Sequence, residues 1–411
     1  MTRRWLTPSQ IYLIGFVAIL LLAWICYRPA LSGAFQLDDM ANLGGLASIE
    51  DTSSAVNFIF SGTAGPGGRP LALLSFAMQA DSWEQGARAF LQVNILIHLF
   101  NAMLLAACFY WMSLLQAVDR NKAVLIATIA AGMWVVMPLL ASASLLVVQR
   151  MTTLSASFAL LGLLAYLLAR ARIDDRPRIA LIMMSASLVL GTGLAALVKE
   201  SGLLLPLYVL VLEATVLGRP AAVSHRHWRA WQGVFLLLPT LLVVVYVLGR
   251  FGYPDSIIAW RGFTAGERLM TESRILWVYL QKAILGIPSE LGIFQMKPPL
   301  SRSIFEPATL LSMLAWLVLL AGALIWRRRF PLLALAVLWF LGGHIIESTV
   351  VPLELYFEHR NYLPVAGPVF ALTAFLALGS DVRQRVLWVV APLYLVTSAF
   401  FLYSVASLAG E

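Results

Sequence analysis

Charge is scarce in this 411-residue chain, where Asp, Glu, Lys and Arg together make up 12%. A soluble domain carries about 25% charged residues, so a soluble globular fold is excluded. Cysteine is nearly absent. Cys26 and Cys108 both sit inside apolar runs with no CxxC spacing, which excludes a disulfide framework and a cysteine zinc site. There is no Walker loop, no Gly-rich dinucleotide loop and no GxSxG elbow, so nothing supports an ATP-driven pump or an α/β-hydrolase.

What is abundant is apolar surface. Hydrophobic residues make up 60% of the chain, and many runs approach the roughly 20 residues needed to cross a bilayer. The formal charge of +8 therefore marks topology first and does not point to nucleic acid. Met1 to Arg4 followed by the apolar run Ile11 to Tyr27 resembles a signal peptide. The run is too long for a typical hydrophobic region and no small-residue cleavage site follows, so a retained first span is expected.

The expected fold is an all-α integral membrane protein. Spans are expected near 10–28, 90–116, 123–140, 153–170, 178–198, 201–217, 232–250, 309–326, 331–349, 362–379 and 386–407. A further apolar run, 274–287, is short and carries Lys282. If it crossed, Arg327, Arg328 and Arg329 would face outward against the positive-inside rule. It is therefore expected to be interfacial or re-entrant, leaving about eleven spans. The chain then divides into an N-terminal membrane module (1–250), an outer loop with the interfacial helix (251–308), and a C-terminal membrane module (309–411). The outward loops 29–89, 251–308 and 348–361 hold most of the unusual residues, and long loops are where function concentrates.

In the first loop, Asp38-Asp39 follows the first span. Paired carboxylates there fit a general base with an orienting partner or a cation site; a solvated turn or a helix N-cap is the alternative. Arg69, after a Gly-Pro turn cluster, could hold an anionic headgroup or form a structural ion pair. His98 and Asn101 inside the second span read as interhelical hydrogen bonds. Arg150 and Lys199-Glu200 lie at one membrane depth and could bind phosphate by charge-assisted hydrogen bonds. Glu267 and Arg268 lie in a charged lead-in to the short helix, either a lateral gate or a snorkelling collar. The last loop is densest, with Glu347, Glu354, Glu358, His359, Arg360 and Tyr362. His359 and Arg360 beside Glu358 could bind phosphate or relay a proton.

Read in order, these outward strings resemble a known family. Asp38-Asp39, Arg69-Pro70, Asn94 to Asn101, Val148-Gln149-Arg150-Met151-Thr152, Lys199-Glu200, Glu267 to Glu272, and Gly343 to Ser348 through Glu358-His359-Arg360-Asn361-Tyr362-Leu363-Pro364 are similar to bacterial relatives of the TMTC protein O-mannosyltransferases. That family has the GT-C fold. The resemblance implies transfer of a sugar from a polyprenyl-phosphate carrier to an acceptor hydroxyl on the non-cytoplasmic side. Two departures stand out. Relatives often have His-Pro where this chain has Met137-Pro138, and many carry a C-terminal tetratricopeptide array that the sequence up to Glu411 does not contain. A repeat-free form looks like the pilin glycosyltransferases of the TfpW type, which implies a type IV pilin acceptor and a bacterial inner membrane with a periplasmic active face.

The expected mechanism is a single displacement. Asp39 or Asp38 acts as base, with Asp39 preferred because similar enzymes often place the base late in the pair. Arg69, Arg150, Lys199, Glu200, His359 and Arg360 bind the donor phosphate or sugar. Glu267, Arg268, Glu358 and Tyr362 gate the site or touch the donor. No metal or other cofactor is assigned; the carboxylates leave room for a divalent cation. The membrane lipid, the polyprenyl-linked donor and a protein acceptor are the expected partners. A transporter or flippase of the lipid-linked sugar, and transfer to a lipid or polysaccharide acceptor, are the rival readings. A transporter would need polar groups near the midplane, whereas these charges collect at one edge.

Overall fold

The computed structural model describes residues 6–288 and 298–411. Arg3 and Arg4, which anchor the orientation argument, lie outside the described residues. Among the described residues every regular element is helical. Seven helices are long and apolar enough to cross a membrane: Pro8–Ser32, Arg88–Leu115, Val147–Arg170, Pro177–Val198, His225–Leu248, Pro307–Ile325 and Asp381–Gly410. The molecule is an all-α, multi-pass membrane protein.

One further apolar pair of helices is bent. Arg120–Val135 and Pro138–Leu145 meet at 58°. Pro138 has no amide hydrogen to continue the helical ladder, and its ring forbids a straight continuation. The other three expected spans hold shorter helices. Leu205–Thr215, Pro331–Gly343 and Ala366–Ala377 have 11, 13 and 12 residues. At 1.5 Å per residue they cover about 20 Å or less, short of a hydrocarbon core of about 30 Å. Eleven full-length helical spans are thus not formed. The expected runs continue, but the backbone leaves the helix: Glu200–Leu204 is a 3₁₀ stretch, and residues 344–347 and 362–365 are turns. Irregular backbone at such depth survives only where protein or a cavity surrounds it.

Close helix contact fixes the centre. A Cβ on Gly162 would lie 2.9 Å from the Gly191 Cα, so Arg150–Arg170 and Pro177–Val198 touch backbone to backbone through small residues.

The short run near 274–287 belongs to a longer helix, Ala265–Leu285, which starts at a capping box between Thr264 and Glu267. Its far end meets the middle of Asp381–Gly410, where the Tyr394 hydroxyl donates to the Ala283 carbonyl at 2.8 Å. Beyond the undescribed residues the chain is back beside the first half of this helix. The Ser301 amide donates to Thr271 Oγ1 at 2.9 Å, and Arg274 donates to Ser301 Oγ at 3.1 Å. The described chain before and after Ala265–Leu285 thus lies at the same end of that helix. Trp277 stacked on Trp316 at 4.1 Å fastens it to Pro307–Ile325.

Candidate functional site

The three long loops meet at one end of the helices. In the first, Leu37 takes a left-handed backbone (φ 49°) and Asp39 opens the short helix Asp39–Leu43. Asp39 is 1% exposed. The Gln36 amide donates to its Oδ2 at 2.8 Å, and the Val148 amide to its Oδ1 at 2.7 Å. Asp39 thus ties the loop to the backbone just before Arg150. Burial raises its carboxyl above the usual aspartate range, against the pull of these amides. Asp38 is exposed, and although it is the N-cap residue its side chain makes no capping bond. Its carboxyl is also raised, by partial burial and then by Glu354, with Arg261 opposing. Asp38 therefore faces the second and last loops, where Arg261 Nη1 and Glu354 Oε1 pair at 2.6 Å.

The turn cluster at 65–69 serves Glu200. Gly65 (φ 88°) has no room for a Cβ, which would sit 1.9 Å from Glu200 Oε1. Arg69, also left-handed at φ 56°, donates to Glu200 Oε2 at 2.7 Å and to Oε1 at 3.3 Å. Of the two readings of Arg69, the ion pair is the one present. Next to it, buried Lys199 donates to Glu347 Oε1 at 2.8 Å and to Thr152 Oγ1 at 2.9 Å, and Thr152 donates to Gln149.

Other expected site residues hold the architecture. Arg268, fully buried, donates to the Leu353, Glu354 and Glu347 carbonyls and pairs with Glu272 at 2.8 Å. Arg360 donates to the Glu354 and Leu355 carbonyls and to the same Glu272. Two guanidinium groups around one carboxylate thus clamp the last loop by its backbone. Glu267 caps its own helix and pairs with Arg302. Glu358 pairs with Lys282 at 2.7 Å.

Arg150 and Tyr362 turn inward. Arg150 donates to Asn94 Oδ1 at 2.8 Å and to the Ser75 and Phe90 carbonyls, with Phe76 against its guanidinium at 4.4 Å. Its donors are committed to protein acceptors, so the expectation that it binds donor phosphate is corrected: it locks two helices and the first loop together. The Tyr362 hydroxyl lies 2.8 Å from His98 Nδ1 and accepts from Asn101, inside the bundle. The gate role expected for Tyr362 is corrected likewise, and His98 and Asn101 are the interhelical hydrogen-bonders that were expected.

His359 differs from all of these. It is 6% exposed, lies on Phe357 with ring centroids 5.0 Å apart, and its Nδ1 has no hydrogen-bond partner among the described residues. Burial and the nearby Lys199 push its imidazole well below the usual histidine range, so it is neutral. It lines a small cavity of about 30 Å³ whose polar lining includes Thr152, Ser155, Ser201 and Glu347. An apolar cavity of about 690 Å³ runs along Ala265–Leu285, walled by Leu280, Ala283, Trp316 and Phe340 and, toward the end opposite the long loops, by Arg329, Phe330 and Leu333. Phe340 at its rim touches His344 at 4.7 Å.

What sequence reading missed is the pairing. Arg261, Glu272, Lys282 and Thr152 stand in strings that the sequence marks, but each also meets a group 47 to 93 positions away that no spacing shows. Only the i,i+4 spacing of Arg268 and Glu272 was readable as a pair. Among the described residues no three His, Cys, Asp or Glu side chains gather as a metal site. The chain matches no protein-family model, no curated protein and no solved structure.

Proposed function

We propose that the protein is a glycosyltransferase that moves a sugar from a polyprenyl-phosphate carrier to a Ser/Thr hydroxyl of a protein, with its active face periplasmic and a type IV pilin as the acceptor. One observation carries this reading. Asp38, an exposed carboxylate with no ion pair among the described residues, stands where the first and last loops meet. It is at the same end as Arg69, Lys199 and His359, and a chain-sized apolar cavity runs from Phe340 toward the opposite end along Ala265–Leu285.

Asp38 takes the base role in preference to Asp39. An acceptor hydroxyl reaches Asp38, whereas both Asp39 oxygens already accept backbone amides. Asp39 is the positioning residue that holds the pair in place. Asp38 removes the hydroxyl proton, the oxygen bonds to the anomeric carbon, and the sugar–phosphate bond breaks with its electron pair leaving on the polyprenyl phosphate. Lys199 and the unpartnered His359 are the groups that neutralise and hydrogen-bond that phosphate. The apolar cavity takes the first part of the polyprenyl tail. A phosphate leaving group needs no strong acid, so one carboxylate suffices where a glycoside hydrolase uses two. The acid limb of the rate lies above the ordinary aspartate value of about 3.9, because the Asp38 carboxyl is raised.

The test is the intact mass of the acceptor made with Asp38→Asn and with Asp39→Asn. Loss of the sugar in Asp38→Asn is expected. Full glycosylation in both variants removes the catalytic assignment, and lipid-linked sugar moved across a vesicle without transfer favours the transporter.

A further inference from the structure

Away from this site, a groove of about 440 Å³ opens between the end of the Pro8–Ser32 helix, the start of Arg88–Leu115 and the end of Asp381–Gly410. Ile25, Arg28, Pro29, Ser32, Arg88 and Tyr403 are among its lining residues. Its polar and apolar parts are separate in kind. Ile25 and Tyr403 are 57% and 50% exposed on membrane-crossing helices, so this wall faces lipid. Arg28 and Arg88 are exposed, and neither guanidinium has an ion pair or a hydrogen-bonding acceptor among the described residues. Elsewhere at this end the arginines are engaged: Arg69, Arg261, Arg268 and Arg360 each bind a carboxylate.

Arg88 is also the first residue of a 28-residue helix whose N-cap, Ala87, supplies no side-chain cap. The partial positive charge of that terminus adds to two unpaired guanidinium groups. Two fixed cations beside a lipid-facing wall at the membrane edge match one ligand chemistry, a phosphate carrying an acyl chain.

We infer that this groove binds an anionic phospholipid, its headgroup phosphate between Arg28 and Arg88 and its chain along Ile25 and Tyr403. The site is independent of the proposed transfer reaction and shares no residue with it.

The experiment is native mass spectrometry of the full chain released from mixed bilayers of phosphatidylglycerol and phosphatidylcholine. Wild type is expected to retain phosphatidylglycerol in preference. The Arg28→Gln, Arg88→Gln double variant should bind it about tenfold or more weakly, the scale of losing charge-assisted hydrogen bonds. Ile25→Trp, which fills the groove and keeps both arginines, should also lose it, so that the inference stands on more than one fold-sensitive variant. Equal retention by wild type and both variants overturns the site. Displacement of the lipid by millimolar inorganic phosphate overturns the lipid assignment and leaves a free-anion site.

Discussion

Two buried ion pairs, one between helices and one between turns at the other end of the molecule, are built differently. At the end opposite the long loops, Arg170 and Glu213 pair at 2.9 Å. The Tyr166 hydroxyl donates to the same Glu213 oxygen at 2.7 Å, Arg170 also donates to the Gly218 carbonyl, and Trp228 covers the guanidinium. At the loop-rich end, Lys199 and Glu347 pair at 2.8 Å. Their surroundings leave a gap: a cavity of about 30 Å³, the size of a water molecule, lies against Glu347, and His359 on its wall has a buried Nδ1 with no partner among the described residues. A buried pair that only joins helices can satisfy its polar atoms internally. A pair that must also meet a substrate leaves acceptors and donors open, at a cost in stability.

The largest expected effect separates chemistry from architecture. Asp38→Asn should lower transfer by about 100-fold or more, the scale of a lost general base, with the thermal midpoint unchanged because the carboxylate is exposed and caps nothing. Glu213→Gln should do the reverse. It leaves Arg170 uncompensated and should lower stability by about 3 kcal/mol, while the folded fraction still transfers sugar. Acceptor mass and unfolding of the purified protein in detergent read the two effects.

Replacing each pair whole sharpens the contrast. Lys199→Met alone and Arg170→Met alone should each cost about 3–5 kcal/mol, since each strands a buried carboxylate. The double variants Lys199→Met with Glu347→Leu, and Arg170→Met with Glu213→Leu, should both recover most of that stability. Only the second should recover transfer. If both recover transfer, the loop-rich pair is architecture alone and the comparison collapses.

His359 tests the same difference on a single ring. His359→Phe keeps an aromatic ring against Phe357 and gives up only polar atoms, one of which has no protein partner among the described residues. Stability should change by less than about 1 kcal/mol, and transfer should fall about tenfold, as for one lost hydrogen bond to a charged group. An equal fall in both quantities would make His359 a packing residue.

How far the sequence could be read follows from what apolarity records. The seven long apolar helices and the bent pair Arg120–Val135 and Pro138–Leu145 were legible as runs of apolar residues. The short helix Ala366–Ala377 read as a full span because residues 362–365 stay apolar where the backbone is not helical, and Pro331–Gly343 because Ile345 and Ile346 prolong its apolar run into a turn. Apolarity reports burial, and protein-buried turns are as apolar as lipid-facing helix. Site chemistry was legible as residue type and not as pairing. Arg150 and Arg360 looked alike as phosphate binders, yet Arg150 is spent on Asn94 and two carbonyls, and Arg360 on Glu272 and the loop backbone. Those acceptors are backbone atoms or distant in sequence, so no spacing reveals them.

The smallest effect probes Asp38 itself. Its carboxyl is raised by partial burial and by Glu354 and lowered by Arg261. As a base it works ionised, so transfer falls as pH drops through its pKa. Glu354→Gln removes a like charge, makes the ionised form easier to hold, and should move the acid limb of kcat/KM to lower pH. Arg261→Gln should move it to higher pH for two reasons: an opposite charge is lost, and Glu354 is released from its partner. Glu354 is half exposed, so solvent and salt limit each displacement to about half a pH unit or less. Opposite displacements place the titrating group between these two side chains. Displacements in the same direction, or none, would move the base away from Asp38 and leave the first loop's carboxylates with the closed, structural character of the Arg170–Glu213 pair.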